Sequence, residues 1–255
     1  MSGVLVGFIQ VSEFMSNARP KLGIIAHTAG SQELHETAGR LTHIVQNAGW
    51  SYEWLCFRAY GGPKNSTGYD ALYIQGGSFS AATFGAQPWM AQEMNLIEDA
   101  LQRNIPVIGI CLGANLIGRI LGAQMSQLLP EGGQLGYRLI EPTDCGQQIL
   151  DKPFFSFCWH KQRLALPVGA TRLAYSAGEP VAYSYGRALA LQVHLDWTPN
   201  IIRLLTIPEN LNISGVATMD SRAKINADIA RYGDQACRPL DALIHTWLGD
   251  AREGV

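Results

Sequence analysis

Short apolar runs alternate with amphipathic segments through the first half of this chain. The runs have the length and composition of strands buried on both faces, and the segments carry apolar residues at helical spacing. Strands are predicted at 21–27, 52–57, 69–75 and 107–110, and helices at 31–47, at 88–103 and from residue 112 onward. Ser31, Gly49 and Pro88 occupy the positions of an N-cap, a C-terminal stop and a first-turn proline. The alternation predicts a parallel sheet covered by helices on both faces.

The pattern changes after Leu121. Short runs separated by Pro, Gly and Asp predict antiparallel strands or hairpins at 135–140, 163–166, 172–176, 181–184 and 188–194. Thr198 is predicted to cap a helix that runs to about Ile207, and two amphipathic helical patterns over 221–248 are broken near Pro239. The predicted organisation is an N-terminal extension over 1–20, a main domain over 21–210 and a C-terminal helical appendage over 211–255.

Composition narrows the class of protein. The 255 residues are 47% apolar and 16% charged, with a formal net charge of −2, so neither nucleic acid nor an anionic membrane is an expected partner. The five cysteines include no C-x-x-C pair, which predicts neither a zinc site nor a disulfide framework. The apolar run near the N-terminus has no basic residue before it, unlike a signal peptide. A cytoplasmic protein without a metal or other cofactor is expected.

The rest of the chain is organised around the segment that contains Cys111 and its two flanking glycines. A predicted strand ends at this cysteine and a helix begins at once, with Gly109 and Gly113 two residues away on either side. This is the nucleophile-elbow pattern G-x-S-x-G with sulfur in place of the hydroxyl. The turn would lift the thiol above the sheet, at a helix N-terminus whose partial positive charge favours a thiolate. A buried core cysteine beside two helix-packing glycines is the alternative.

A thiol nucleophile needs a base, and the base needs a group that orients it. His194 and Asp196 stand two residues apart at a predicted strand end, so both side chains point to the same side. A surface His–Asp pair is the alternative for this spacing, and His160 is the competing base.

An acyl-transfer site also needs hydrogen-bond donors for the developing oxyanion. The backbone N–H of Leu112 follows the cysteine, and the turn at Gly76 and Gly77 ends a neighbouring parallel strand. Open α/β sheets place their sites at this edge. An ordinary strand-end turn would give the same glycines.

Together these pieces resemble the class I glutamine amidotransferase domain, and more closely its stand-alone, GMP-synthase-like members. The resemblance covers about 20–206. The matching segments stand in the family's order: Y-I-Q-G-G-S (73–78), P-W-M-A-Q-E (88–93), P-V-I-G-I-C-L-G-A-N (106–115), C-W-H-K-Q (158–162), L-P-V-G-A-T (166–171) and A-L-Q-V-H-L-D (190–196). The resemblance implies a flavodoxin-like, mainly parallel α/β sheet with a small antiparallel addition.

The resemblance also implies roles for individual residues. Cys111 matches the nucleophile, His194 the base and Asp196 the orienting acid. Gly77 and Leu112 match the oxyanion-hole positions. The substrate-binding positions that follow from the same segments are Gly76, Ser78, Asn115, Trp159 and His160.

Three departures from the family pattern bear on the base and the substrate pocket. The family's acid is usually Glu, and Asp196 is one methylene shorter, so the base must sit closer or use a bridging water. Ala114 and Asn115 stand where the family usually has His-Gln, and that Gln helps to hold glutamine. Lys161 and Gln162 replace a frequent Gly-Asp pair.

The expected function is therefore cleavage of the γ-amide of glutamine or of another γ-glutamyl compound through a thioester on Cys111. With glutamine as substrate, ammonia would pass to a separate synthetase, because the chain has no G-x-x-x-x-G-K-[ST] motif. A stand-alone γ-glutamyl peptide or amide hydrolase or transferase is the alternative, which Asn115 and Lys161 favour. The third hypothesis is that the protein is a non-catalytic regulatory subunit.

Overall fold

The computed structural model describes residues 19–27, 40–125, 129, 132–213, 216 and 218–249. Its strands are β1 (Lys21–Ile25), β2 (Ser51–Leu55), β3 (Ala71–Ile74), β4 (Val107–Ile110), β5 (Gln134–Pro142), β6 (Phe154–His160), β7 (Thr171–Ser176), β8 (Glu179–Tyr185), β9 (Ala188–Leu191) and β10 (Thr218–Met219). They form one mixed sheet in the order β10-β5-β7-β8-β9-β4-β3-β1-β2, with β6 paired to β5.

The parallel half of the sheet is β2-β1-β3-β4-β9, and the strands from β9 through β8 and β7 to β5 pair antiparallel. The predicted α/β fold with an antiparallel addition is confirmed. The carboxyl ends of β3 and β4 lie side by side, because Ile74 pairs with Gly109. The turns after these two strands therefore meet at one edge of the sheet.

The helices in the described part of the chain are α1 (Leu41–Asn47), α2 (Phe57–Tyr60), α3 (Pro88–Gln102), α4 (Leu112–Ile120), α5 (Gln147–Leu150), α6 (Pro199–Leu205), α7 (Pro208–Ile213), α8 (Arg222–Ala236) and α9 (Arg238–Gly249). Pro88 stands at the start of α3, and the side chains of Thr198 and Ser221 cap α6 and α8. The predicted N-cap at Ser31 lies outside the described residues. No helix in this part of the chain is long and apolar enough to span a bilayer.

Alternate residues of the central strands pack on opposite faces, as expected for a sheet covered on both sides. Ile108 and Ile110 of β4 belong to one core with α1 and α9, whereas Val107 belongs to a second core with α3 and α4. Leu240 and Ile244 of α9 are fully buried in the first core. The helix α9 thus shares the core of the parallel sheet, whereas the buried residues of α8 pack with β5 and β6 in another core. The domain boundary predicted near 210 stays a prediction.

Two predictions for the antiparallel part were wrong. Residues 163–166 form no strand, because this segment packs across α4: the Ala165 backbone N–H donates to the Asn115 side chain at 2.7 Å. The strand predicted over 188–194 ends at Leu191. Its partner changes there, since the Gln192 N–H still bonds Val181 of β8 whereas the His194 N–H bonds Phe157 of β6.

Candidate active site

Cys111 occupies a sharp turn between β4 and α4. Its backbone has φ 51° and ψ −102°, a left-handed conformation that costs a non-glycine residue on the order of 1–3 kcal/mol. Glycine is required at both flanking positions, because a Cβ at either one would clash with the backbone. A Cβ on Gly109 would lie 2.6 Å from the Gly113 carbonyl carbon, and one on Gly113 would lie 2.4 Å from the Ile74 carbonyl oxygen. The local geometry is that of a nucleophile elbow.

His194 reaches this turn from beyond the end of β9. Its backbone N–H donates to Phe157 O at 2.9 Å, and its ring stacks on Trp197 with centroids 3.6 Å apart. Gly76 permits the approach, because a Cβ there would stand 2.7 Å from His194 Cε1 and 3.3 Å from Cys111 Cβ. The turn after β3 thus lies against both the cysteine and the histidine.

Asp196 lies beside His194 but is not in direct hydrogen-bond contact with it. Their Nδ1 and Oδ1 atoms are 3.6 Å apart, and both side chains are almost fully buried. Burial lowers the pKa of His194, but Asp196 and the Cys111 thiol outweigh burial and raise this pKa to about 9. The Asp196 carboxylate also lies near the buried hydroxyl of Tyr73. Burial and this carboxylate together raise the pKa of Tyr73 well above its usual value. Asp196 and the sulfur of Cys111 therefore favour the protonated form of the His194 imidazole.

Leu112, Gly76 and Gly77 lie where the sequence predicted donors. Leu112 is the first residue of α4, so its N–H is one of those without a partner inside the helix. Gly77 is close to it, since a Cβ on Gly77 would meet Leu112 Cδ2 at 2.9 Å. Both residues line the same cavity as Cys111.

The amide of Asn115 is bonded within the protein. Its Nδ2 donates to Cys111 O at 3.2 Å and to Gln192 Oε1 at 3.1 Å, and its Oδ1 accepts from Ala165 N. The amide of Gln192 in turn donates to Cys111 Sγ at 3.6 Å. The sequence reasoning missed Gln192. Gln192 stands two residues before His194, and in an extended chain this spacing places the two side chains on the same side. That spacing could have identified Gln192.

His160 and Trp159, at the end of β6, also line the cavity. His160 Nδ1 donates to Gln162 O at 3.0 Å, and burial lowers the pKa of this imidazole to about 4. His160 is thus neutral near pH 7, and no carboxylate among the described residues bonds to it. The carbonyl of Trp159 accepts the thiol hydrogen of Cys111 at 3.8 Å.

The cavity has a volume of about 730 Å³. Its polar wall includes Cys111, His194, Gln192 and the exposed Ser78 and Lys161. Its apolar wall is formed by Phe79, Leu112, Trp159, Trp197, Leu205 and Val216. Among the described residues, no group of His, Cys, Asp or Glu side chains is arranged to hold a metal ion.

Comparison with known proteins agrees with this geometry. The family model described as glutamine amidotransferase class-I matches residues 42–199, from α1 to the start of α6. The chain belongs to this family. The match includes Cys111, His194 and Asp196, although membership does not by itself assign their roles.

Two curated relatives and one solved structure extend the likeness. The glutamine amidotransferase-like protein YfeJ of Salmonella typhimurium is 32% identical over 179 residues, which are 65% of this chain and 73% of that protein. Gamma-glutamyl peptidase 5 of Arabidopsis thaliana is 30% identical over 204 residues, 74% of this chain and 80% of that protein. A glutamine amidotransferase from Thermotoga maritima has a TM-score of 0.77 over 91% of this chain and 99% of its own, at 22% identity, which shows a shared fold.

Proposed function

We propose that this family member is a cysteine-dependent hydrolase or transferase that cleaves a γ-glutamyl amide through a thioester on Cys111. The observation that carries the proposal is the strained elbow of Cys111, which holds the thiol against the imidazole of His194 inside a large cavity. A structural cysteine would gain nothing from a backbone conformation that costs free energy.

In the proposed reaction the Cys111 proton moves to His194, and the sulfur attacks the γ-carbonyl carbon. The carbonyl oxygen becomes an oxyanion that accepts hydrogen bonds from the N–H groups of Leu112 and Gly77. The tetrahedral intermediate collapses when the C–N bond breaks, and the leaving amine takes the proton from His194. Water or an acceptor amine then attacks the thioester and gives its proton to His194, which returns it to the thiolate.

Asp196 acts on His194 through its negative charge, with Oδ1 3.6 Å from Nδ1, and raises the pKa of the imidazole. Gln192 supplies a second contact at the site, because its amide N–H donates to Cys111 Sγ at 3.6 Å. Asn115 fixes which end of that amide faces the sulfur, since it donates to Gln192 Oε1. On this account Asn115 acts through Gln192, and its predicted direct contact with substrate stays a prediction.

The substrate we favour is a γ-glutamyl compound larger than glutamine, cleaved without a partner. A cavity of about 730 Å³ with an extensive apolar wall leaves room for an apolar leaving group beyond the γ-amide. Lys161 supplies a cation at the cavity for a substrate carboxylate. The name of the Arabidopsis relative is consistent with this class. Glutamine hydrolysis with transfer of ammonia to a separate synthetase is the alternative.

The test combines labelling and turnover. A diazoketone analogue of glutamine should label wild-type protein on the peptide that contains Cys111, and Cys111→Ala should take no label there. A panel of γ-glutamyl peptides and anilides should be cleaved by the chain alone with a higher kcat/KM than glutamine. A protein that neither takes the label nor cleaves any amide would be the regulatory subunit. Efficient cleavage of glutamine alone would favour the synthetase-linked alternative.

A further inference from the structure

A second buried histidine–carboxylate pair lies directly behind the turn that follows β3. His27, two residues beyond β1, places Nε2 2.8 Å from Glu93 Oε1 of α3, and Nδ1 3.2 Å from the Gly76 carbonyl oxygen. The two side chains are only 2% and 1% exposed. The edges of Phe79 and Phe84 pack around the imidazole, with ring centroids 6.5 and 6.0 Å away. The reaction proposed above uses neither member of this pair.

Both partners of His27 are hydrogen-bond acceptors. A carbonyl oxygen and a carboxylate can each be satisfied only if both ring nitrogens carry a hydrogen. Burial lowers the pKa of His27, but the charge and hydrogen bond of Glu93, with the carbonyls of Gly76 and Gln75, outweigh it and leave this pKa raised. Glu93 is the charged partner that faces the ring. The pair therefore directs the Nδ1 hydrogen at the Gly76 carbonyl.

A bond to the Gly76 carbonyl fixes the N–H of the next residue as well. The peptide unit is planar and trans, so its C=O and N–H point in opposite directions. With the carbonyl held by His27, the Gly77 N–H must point away from His27. Glycine at both positions leaves this peptide free to rotate unless something holds it.

We propose that His27, oriented by Glu93, is a positioning residue that fixes the peptide between Gly76 and Gly77, so that the Gly77 N–H faces the site where the oxyanion forms. This inference rests on the proposed function, because it assumes that Gly77 donates to an oxyanion. His27 also limits the space around Gly77, since a Cβ on Gly77 would lie 3.0 Å from His27 Cβ.

Two substitutions of His27 separate its two contacts. The amide nitrogen of Asn is as many bonds from Cα as His Nδ1, so His27→Asn keeps a donor for the Gly76 carbonyl and loses the contact with Glu93. The amide nitrogen of Gln matches Nε2, so His27→Gln keeps the contact with Glu93 and loses the one with Gly76. Glu93→Gln leaves a neutral imidazole that donates from Nδ1 and accepts at Nε2. Phe84→Leu is the control for lost packing around the ring.

The measurements are kcat and KM for a γ-glutamyl anilide, the rate of Cys111 alkylation by iodoacetamide, and the unfolding temperature. Removal of an oxyanion donor lowers kcat by about 10²–10³. His27→Gln releases the Gly77 donor from its fixed direction without removing it, so kcat should fall less, by roughly 10- to 100-fold, with KM little changed. Its alkylation rate should stay at the wild-type value, because alkylation forms no oxyanion. His27→Asn and Glu93→Gln should keep kcat within about threefold of wild type, and Phe84→Leu should lower the unfolding temperature but not kcat.

Crystal structures of the same variants give a readout that needs no substrate. The Gly76–Gly77 peptide should be rotated or disordered in His27→Gln and unchanged in His27→Asn. An unmoved peptide with full kcat in His27→Gln would overturn the inference, as would losses of kcat that simply follow the unfolding temperature. If wild type cleaves no γ-glutamyl amide, the proposed function fails, whereas an unrotated peptide in His27→Gln would count against the positioning role of His27 alone.

Discussion

Asn115 Nδ2 lies 3.1 Å from Gln192 Oε1, and this contact turns the NH₂ group of Gln192 toward the sulfur of Cys111. The two amides come from α4 and from the chain just beyond β9, 77 residues apart. The position in which the family usually carries Gln thus holds a residue whose hydrogen bonds are made inside the protein.

The first prediction concerns Asn115→Gln. Asn115 is 5% exposed and contacts three groups, so an added methylene must displace its amide from Ala165 N or press on Gln192. We expect kcat/KM for γ-glutamyl substrates to fall about tenfold, which corresponds to about 1.4 kcal/mol. Gln192→Met, which removes the donor to sulfur, should give a loss of similar size. A rise in glutaminase activity in Asn115→Gln would show instead that this position contacts glutamine directly.

The second prediction concerns the pH dependence set by His194. Its pKa is about 9 because Asp196 and Cys111 stabilise the cation more than burial destabilises it. The cation protonates the leaving amine, so kcat/KM should fall as the pH rises through about 9. Asp196→Asn removes one of the stabilising charges and should move this limb to lower pH. A limb that stays at the same pH in Asp196→Asn would mean that Asp196 has no electrostatic role.

The third prediction concerns stability at acidic pH. Burial lowers the pKa of His160 to about 4, below its ordinary value of 6.5, so the unfolded chain binds a proton there before the folded protein does. This imidazole therefore costs no stability above pH 6.5, and the cost grows as the pH falls from 6.5 to about 4, to at most about 3 kcal/mol. Wild type should lose more unfolding free energy than His160→Gln across this window in urea titrations. Parallel losses would show that His160 titrates normally.

The fourth prediction concerns the strain at Cys111. Glycine adopts positive φ without the steric cost that any other residue meets. Cys111→Gly should therefore unfold at a higher free energy than Cys111→Ala, by about 1 kcal/mol, although both should be inactive. Equal stability of the two variants would indicate that the turn holds no strain.

The sequence predicted that β4 turns into α4 at Cys111, because a strand buried on both faces and two flanking glycines are strong local signals. It did not predict β6, of which only the end was used, as part of the segment C-W-H-K-Q. This strand pairs with β5 over its whole length. The prediction of a strand at 163–166 was wrong because this apolar run packs on α4 and does not pair with a strand of the sheet. The pair of His27 and Glu93 could not be found from sequence, since 66 residues separate its members.

The spacing in the sequence indicated that Cys111, His194 and Asp196 lie together, but it indicated neither Gln192 nor the distances between these groups. His194 and Asp196 share a side of the chain, as their spacing indicated, yet the shorter acid leaves 3.6 Å between Nδ1 and Oδ1. The direction of the Gln192 amide depends on Asn115 from another element, so no local pattern could reveal it. A cytoplasmic location stays a prediction.

The central claim is that Cys111 carries the γ-glutamyl group as a thioester. Wild-type protein would be mixed with a γ-glutamyl anilide, quenched in acid within the first turnover, digested and examined by mass spectrometry. The account predicts one γ-glutamyl group on the peptide that contains Cys111, and none on that peptide in Cys111→Ala. Release of the aniline without a modified Cys111 peptide, or a γ-glutamyl group found instead on the exposed Cys145, would contradict it.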